Sequence, residues 1–438
     1  MINGKYQYYL LFFLVAFSFV SSQNIYRNWY FGQNAGLSFA TNPPTILAGS
    51  AMDTNEGSAV ISDNNGNLLF YTDGMTVWNQ LHQIMANGTG LLGSTNSIQA
   101  ALIVKRPNSN GIYYIFTVDA LGASNGLMYH EVDMNLAAGL GSVTTQNTQL
   151  FTPSTEQLAG TRHCNGTDVW VMVHEGNNTN NFRAYLVTAA GINTTAVLSQ
   201  IGSTITPVAG GMGSIKFSES GRQMLFCANN SSINPNGQGF YELLDFDPAT
   251  GIVSNPRTLA LGYATSSGEF SLDGSKLYGS IYDQQLSLCQ WDMCGNSDSA
   301  IIASRYNIPA QYNAIVQFQM AINNKIYIAT GNFQQTMGVI NNPSSPGSAC
   351  GYSAYAQSVV PNLNRAGVPN FVSGYSRKAV PFTYLIDTLQ SCQTVHFTGT
   401  NACQMKLNPV QSLSWNFGDP ASGAANVSNL NSASHIYS

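Results

Sequence analysis

The chain has 438 residues, 44% of them hydrophobic and 11% aromatic, enough apolar material for a large core and too much for a disordered polyelectrolyte. Only 8% are Asp, Glu, Lys or Arg, against ~25% in an ordinary soluble domain. With 16 scattered basic residues and a net charge of −5, the chain offers no patch to neutralise phosphates, so no nucleic acid is expected as a partner.

In chain order, residues 1–22 read as a signal peptide. Lys5 precedes the apolar run YYLLFFLVAFSFV (8–20), and Val20, Ser21 and Ser22 supply a permissive cleavage site before Gln23. Polar residues 21–24 end the run before the ~20 apolar residues that a membrane span needs. No Cys follows it, which argues against a lipoprotein anchor, and no transmembrane segment is expected after cleavage.

From there a two-strand unit recurs. AVISDNNGNLLFYTD (59–73), ALIVKRPNSNGIYYIFTVD (101–119), AGTRHCNGTDVWVMVHE (159–175), SIKFSESGRQMLFCAN (214–229), GEFSLDGSKLYGSIY (268–282) and QFQMAINNKIYIATG (317–331) are each an apolar strand, a polar turn and a second apolar strand. Asn-Gly and Asp-Gly supply the positive φ that tight hairpins require. The turns are spaced by roughly 40 to 60 residues, the length of a propeller blade. A lone four-stranded sheet cannot cover both faces, whereas a ring of such sheets can. The expectation is an all-β chain, a β-propeller over 23–377 with seven blades favoured and six to eight allowed. Each hairpin is placed between the middle strands of a blade. The ring is expected to close by pairing 367–373 with 28–41. Residues 132–140 are the one short helical candidate.

After Arg377 the pattern changes: 378–387 reads as a linker strand and 388–438 as a separate module. Seven Cys are too few to frame so large a fold, and an odd count leaves at least one unpaired within the chain. Cys392 with Cys403 is the first candidate disulfide and Cys294 with Cys350 the second. No C-x-x-C occurs, so no zinc knuckle is indicated.

Ser414-Trp415-Asn416-Phe417-Gly418-Asp419-Pro420 and His435-Ile436-Tyr437 resemble the PKD family, whose W-x-F-G-D strand and later H-x-Y belong to a small immunoglobulin-like β-sandwich. The family's last strands would follow Ser438, so the module is read as incomplete. Residues 28–375 are similar to the N-terminal propeller of multi-domain secreted surface proteins of Bacteroidota. The residues that carry this are Asn28-Trp29-Tyr30-Phe31-Gly32, Asn55-Glu56-Gly57, Tyr71-Thr72-Asp73-Gly74, Val77-Trp78-Asn79 and Gly367-Val368-Pro369-Asn370-Phe371. This resemblance implies export by the type IX secretion pathway, a place on the outer cell surface and, in some members, a link to gliding motility. It names no catalytic residue.

Asp53, Asn55, Glu56 and Asp73, with Trp78 nearby, are the candidate ligand-binding set, a polar loop with an aromatic for sugar. The competing reading makes Asp73-Gly74 a turn and has Asn55 and Glu56 satisfy backbone groups. His163 and His174 flank one hairpin, yet His174 and Glu175 point to opposite faces of a strand, and two His without a third ligand make a poor metal site. No metal or cofactor is expected. Gly211-Met212-Gly213-Ser214-Ile215 leads into a strand rather than a helix, so it is no nucleophile elbow. Asp63-Asn64-Asn65-Gly66-Asn67 lacks the order of a calcium loop and reads as a turn. These readings favour a non-catalytic adhesion or interaction protein whose ring face binds polysaccharide or another surface protein. A secreted propeller lyase or glycosidase is the alternative, and a convergence of acidic or His side chains in the channel would favour it.

Overall fold

The computed structural model describes residues 24–375 apart from 177, 206–211, 229–238, 264–266, 284, 310–315 and 332, and beyond them 383–386, 394–398, 415–417, 423–425, 427–428, 430 and 432–436. Residues 1–22, Cys392, Cys403, Ser414, residues 418–420 and Tyr437, which carry the signal-peptide, disulfide and C-terminal motif readings, lie outside the described residues.

The chain is all-β. The first sheet is β1 (Asn28–Phe31), β2 (Ala35–Ser38) and β3 (Thr45–Ile46). The second holds β4 (Ala59–Ser62), β5 (Leu68–Thr72), β6 (Thr76–Asn79) and β7 (Ile84–Thr89). The third holds β8 (Ala101–Lys105), β9 (Ile112–Val118), β10 (Leu127–Asp133) and β11 (Ser142–Phe151). A single parallel bridge, Ala86 to Ser142, joins their outer edges. The fourth holds β12 (Ser154–Arg162), β13 (Val169–Glu175), β14 (Thr179–Thr188), β15 (Gly191–Ile192) and β16 (Val197–Ile205). The fifth follows with β17 (Gly213–Phe217), β18 (Gln223–Ala228), β19 (Gly239–Asp247) and β20 (Ile252–Tyr263). The sixth is β21 (Gly268–Phe270), β22 (Lys276–Asp283), β23 (Gln285–Asp292) and β24 (Tyr306–Pro309). The seventh is β25 (Gln317–Met320), β26 (Ile326–Ala329), β27 (Thr336–Ile340) and β28 (Tyr352–Ser358).

All six expected hairpins form, with antiparallel registers such as Ala59 to Thr72 and Phe318 to Ile328. Their place in the sheet differs from the expectation. Each joins the first strand to the second rather than the two middle strands. Burial explains why these were the legible pairs. Strands β4 and β17 are buried at every position, so they read as unbroken apolar runs, while outer strands such as β11 and β16 are partly exposed.

Consecutive sheets share cores. One cluster joins the second and third sheets through Ile61, Phe70 and Ile115, and others join each later pair in turn. The last cluster returns to the start: Tyr327, Met337 and Val339 of the seventh sheet pack with Trp29, Phe31 and Leu37 of the first and Tyr71 of the second. The sheets thus form a closed ring.

The closure differs from the pairing expected between 367–373 and 28–41. Residues 363–374 instead run as a strap along the ring's axis. Leu363 bridges Gln33, Pro369 lies parallel to Ser58, and β29 (Val372–Ser373) pairs parallel with Gly160 and Thr161 of β12. The backbone at Gly367 passes so close to residue 56 that a Cβ would sit 1.8 Å from the Glu56 carbonyl oxygen. Only glycine fits that passage.

Residues 132–140 do not form a helix. They end β10 and enter a 3₁₀ turn at Ala137–Gly139, while the one α-helix among the described residues, α1 (Asp298–Ala303), is capped by the Ser297 hydroxyl accepting from the Ala300 N–H. Among the described residues no helix is long and apolar enough to cross a membrane. The Cys294–Cys350 pairing is overturned. Cys350 is a free, buried thiol in the core between the sixth and seventh sheets, whereas Cys294 packs on the opposite face of the sixth sheet, against the fifth. Cys294 is disulfide-bonded, its partner lying outside the described residues.

Beyond the strap, β30 (Thr383–Ile386), β31 (Thr394–Thr398) and β34 (Ser432–Ile436) form one antiparallel sheet, and β32 (Trp415–Asn416) pairs with β33 (Val427–Ser428). The Phe417 ring stacks on His435 at 4.5 Å.

Candidate binding face

At the end of the ring where the innermost strands begin, residues 53–57 approach β4 under tight backbone control. The Thr54 N–H donates to the Gly32 carbonyl, the Glu56 N–H to Thr95 and the Gly57 N–H to Ser97, at 3.0 to 3.1 Å. Thr54 is fully buried, so the loop is anchored from within and turns its neighbours outward.

The strap arrives beside it. Its Ala366 N–H donates to the Asn55 carbonyl at 3.0 Å. The Arg365 guanidinium pairs with Asp53 Oδ1 and donates to Asn55 Oδ1, each at 2.7 Å. Asn55 passes the chain on, donating from Nδ2 to Asn96 Oδ1 at 2.7 Å. The other face of Arg365 lies over the Phe333 ring, 5.0 Å from its centroid. Phe333 is 59% exposed and sits at φ +50°, a left-handed conformation that costs a bulky residue ~1 kcal/mol or more. An exposed aromatic, a cation with its carboxylate and two amides therefore share one patch on the rim.

Asp53, Asn55 and Glu56 are brought together here, but Asp73 and Trp78 are not. Asp73 is buried, and its Oδ1 accepts the Met75 and Thr76 N–H groups at 2.8 Å, which is turn chemistry. Trp78 is 8% exposed and stacks on Tyr71 at 5.4 Å within the core. Arg365, Phe333 and Asn96 went unnoticed in the sequence, where nothing marks them out from other polar or apolar loop positions.

Inside the rim, the axis is filled. Gln99 receives the Leu158 and Ile215 N–H groups on Oε1 and donates to the Ile215 carbonyl, tying three sheets together. Gln317 donates to Ile98 at 2.8 Å and accepts the strap's Val368 N–H at 2.6 Å. Asn370 of the strap donates to Leu158 at 2.8 Å and to Ala101 at 3.3 Å. At the far end, Tyr26 packs on Phe371 at 4.4 Å above the buried Lys216–Glu269 pair (3.3 Å). The cavity left there is about 60 Å³, room for a few waters but not for a sugar ring.

Two carboxyls stand at the near mouth of the axis. Burial, with the charge of Glu156 beside it, pushes Glu56 up to about 8, and its Oε2 is buried without a partner among the described residues. Burial pushes Glu156 up to about 7, against the opposing pull of the Ile98 and Leu121 N–H groups, which it accepts at 3.0 Å.

The two singled-out histidines are not brought together. They sit at opposite ends of the β12–β13 hairpin. His163 Nδ1 accepts the Asn165 N–H within its own turn, while His174 is buried against Phe226 and Phe182, with burial lowering its pKa to about 3. Among the described residues, no three or more His, Cys, Asp or Glu are placed to hold a metal. Asp63 accepts the Asn65 and Asn67 N–H groups at 2.8 Å, closing a hairpin turn.

No family model matches the chain, and no curated protein does. Among solved structures, a functionally unknown protein from Desulfotomaculum acetoxidans is similar at 14% identity and a TM-score of 0.45, over 78% of this chain and 97% of that one. The Cps50 (Swd1) β-propeller domain of Myceliophteria thermophila is similar at 10% and 0.40, over 69% and 92%. The periplasmic gluconolactonase PpgL of Pseudomonas aeruginosa is similar at 12% and 0.36, over 74% and 83%. At TM-scores below 0.5 these likenesses carry no argument about activity.

Proposed function

We propose that the chain is a secreted, non-catalytic binding protein: a seven-bladed β-propeller that presents its rim to a polysaccharide or another surface protein, followed by a PKD-type module. The observation that carries this reading is the filled axis. With the strap and three buried amides occupying the channel, the exposed recognition chemistry lies on the rim, in Phe333, Asp53 and Asn55, held in place by the largely buried Arg365. Export and attachment to the outer cell surface belong to the same proposal, supported by residues 1–22 and the PKD-like motifs.

Purified chain lacking residues 1–22, applied to a glycan array and to bacterial envelope fractions, is expected to bind. Phe333→Ala and Arg365→Ala are expected to weaken that binding by ~10-fold or more, as truncating an interface anchor does. Wild-type affinity in both variants would sink the rim as the site.

The paired carboxyls favour a second reading, a polysaccharide-cleaving enzyme, because an acid held near neutrality suits proton transfer. Release of reducing ends or unsaturated products from a polysaccharide panel, abolished by Glu156→Gln, would select it over the first.

A further inference from the structure

Where the innermost strands finish, at the opposite end of the sheets from the rim, the sixth and seventh sheets leave a cleft of about 390 Å³. It is lined by Lys276, Gln290, Asp292, Ser304, Tyr306 and residues 346–348. That volume lies in the range of small-ligand sites, roughly 300–1,000 Å³.

Its far wall is fixed from beneath. Gln290, 4% exposed, donates to the Ser345 carbonyl at 2.8 Å and to the Tyr278 hydroxyl at 2.6 Å, and accepts the Gly347 N–H at 2.7 Å. Tyr278 in turn donates to the Pro343 carbonyl at 2.8 Å. The turn over the cleft is therefore held by buried amide and phenol groups rather than left to find its own position.

Against this wall stands an aromatic face. Tyr306 is 44% exposed and rests on Gly347, where an added Cβ would lie 3.4 Å from the ring. Beside it is a charge pair with capacity to spare. Lys276, 7% exposed, donates to Asp292 Oδ1 at 3.1 Å and to the Ser275 carbonyl at 3.3 Å, which uses two of its three N–H groups. Asp292 Oδ1 also accepts the Cys294 N–H at 3.0 Å, whereas Oδ2 makes no hydrogen bond among the described residues.

We propose that this cleft binds a terminal neutral pyranose. The C–H face of the sugar would lie on Tyr306, and two neighbouring hydroxyls would fit between the remaining Lys276 donor and the free Asp292 oxygen. The pair is net neutral and already satisfied as an ion pair, so it recognises hydroxyls rather than a charged group. The site stands apart from the rim and does not depend on rim binding.

The test is saturation-transfer NMR and calorimetry on the full chain with the methyl glycosides of glucose, galactose and mannose, and with a methyl glucuronoside as charged control. One neutral glycoside is expected to bind with Kd on the order of 1 mM, the affinity that about a dozen heavy atoms can reach. Tyr306→Ala and the isosteric Asp292→Asn each weaken it ~10-fold or more, and Tyr306→Phe retains it. Phe333→Ala on the rim leaves it unchanged, which separates this site from the rim, and Asp292→Asn keeps the test open should Tyr306→Ala not fold. No saturation of any neutral glycoside, tighter binding of the glucuronoside, or wild-type affinity in Asp292→Asn overturns the proposal.

Discussion

At the scale of single residues, the channel mouth makes the sharpest claim. Glu56 carries a folded-state pKa of about 8 against 4.5 for an unperturbed carboxyl, chiefly because burial disfavours its charge. The folded chain therefore holds a proton that the unfolded chain has already released. Stability from this group is complete below pH ~4.5 and is lost as pH rises toward ~8, at no more than about 1.4 kcal/mol per pH step for each proton. Glu156 adds to the same trend up to about 7. Urea midpoints measured between pH 5 and 8 are expected to fall, and Glu56→Gln is expected to flatten the fall. A variant that keeps the wild-type slope would show that Glu56 is not the group. The sequence offered half of this site: Asn55-Glu56-Gly57 stood out, while Glu156 did not, because its partner lies 100 residues away and only the ring brings them together. Asp73 was legible both as a ligand and as a turn residue, since an acid before glycine serves either, and the structure bears out the turn; nothing local to Trp78 showed that it would be core.

At the scale of elements, hairpins were readable because each is local, an apolar run on both sides of a turn whose positive-φ residue has a chemical signature. Gly66 at φ +83° and Gly274 at φ +71° are two such positions. The strap was not readable as an axial element, since 363–374 has no alternation and its partners are scattered along the chain from Gln33, beside the first sheet, to Gln317 of the seventh. The helix α1 was missed for a similar reason: six residues give too little periodicity, and only the Ser297-Asp298 start marked it. The strap's tight fit gives two predictions. Gly367→Ala must move the backbone of residue 56 and is expected to cost roughly 3 kcal/mol. Asn370→Ala leaves the Ala101 and Leu158 carbonyls without that donor and is expected to cost about 1–3 kcal/mol. Denaturant unfolding of both variants checks these values, and a neutral Gly367→Ala would mean that the strap does not hold the axis under solution conditions.

At the scale of the whole molecule, closure depends on the smallest sheet. The first sheet has three short strands, yet its Trp29, fully buried, lies 4.7 Å from Phe39, 5.7 Å from Tyr327 of the seventh sheet and 5.9 Å from Phe371 of the strap. One side chain thus joins the first sheet to the strap and to the last full sheet. A ring has no free faces, so opening it at any point exposes two sheets at once and should weaken every sheet, not only the local one. Trp29→Ala is expected to cost about 3–5 kcal/mol, the range for emptying a large aromatic site. The location of the loss is the informative part. If the ring unfolds as a unit, amide protons of β18 and β19, in the fifth sheet, lose protection by the same free energy as those of β1 and β2. If those distant amides keep their wild-type protection while β1 and β2 exchange freely, the first sheet is an appended clasp, and the rim patch, which hangs between it and the strap, would have to hold its geometry without help from the ring.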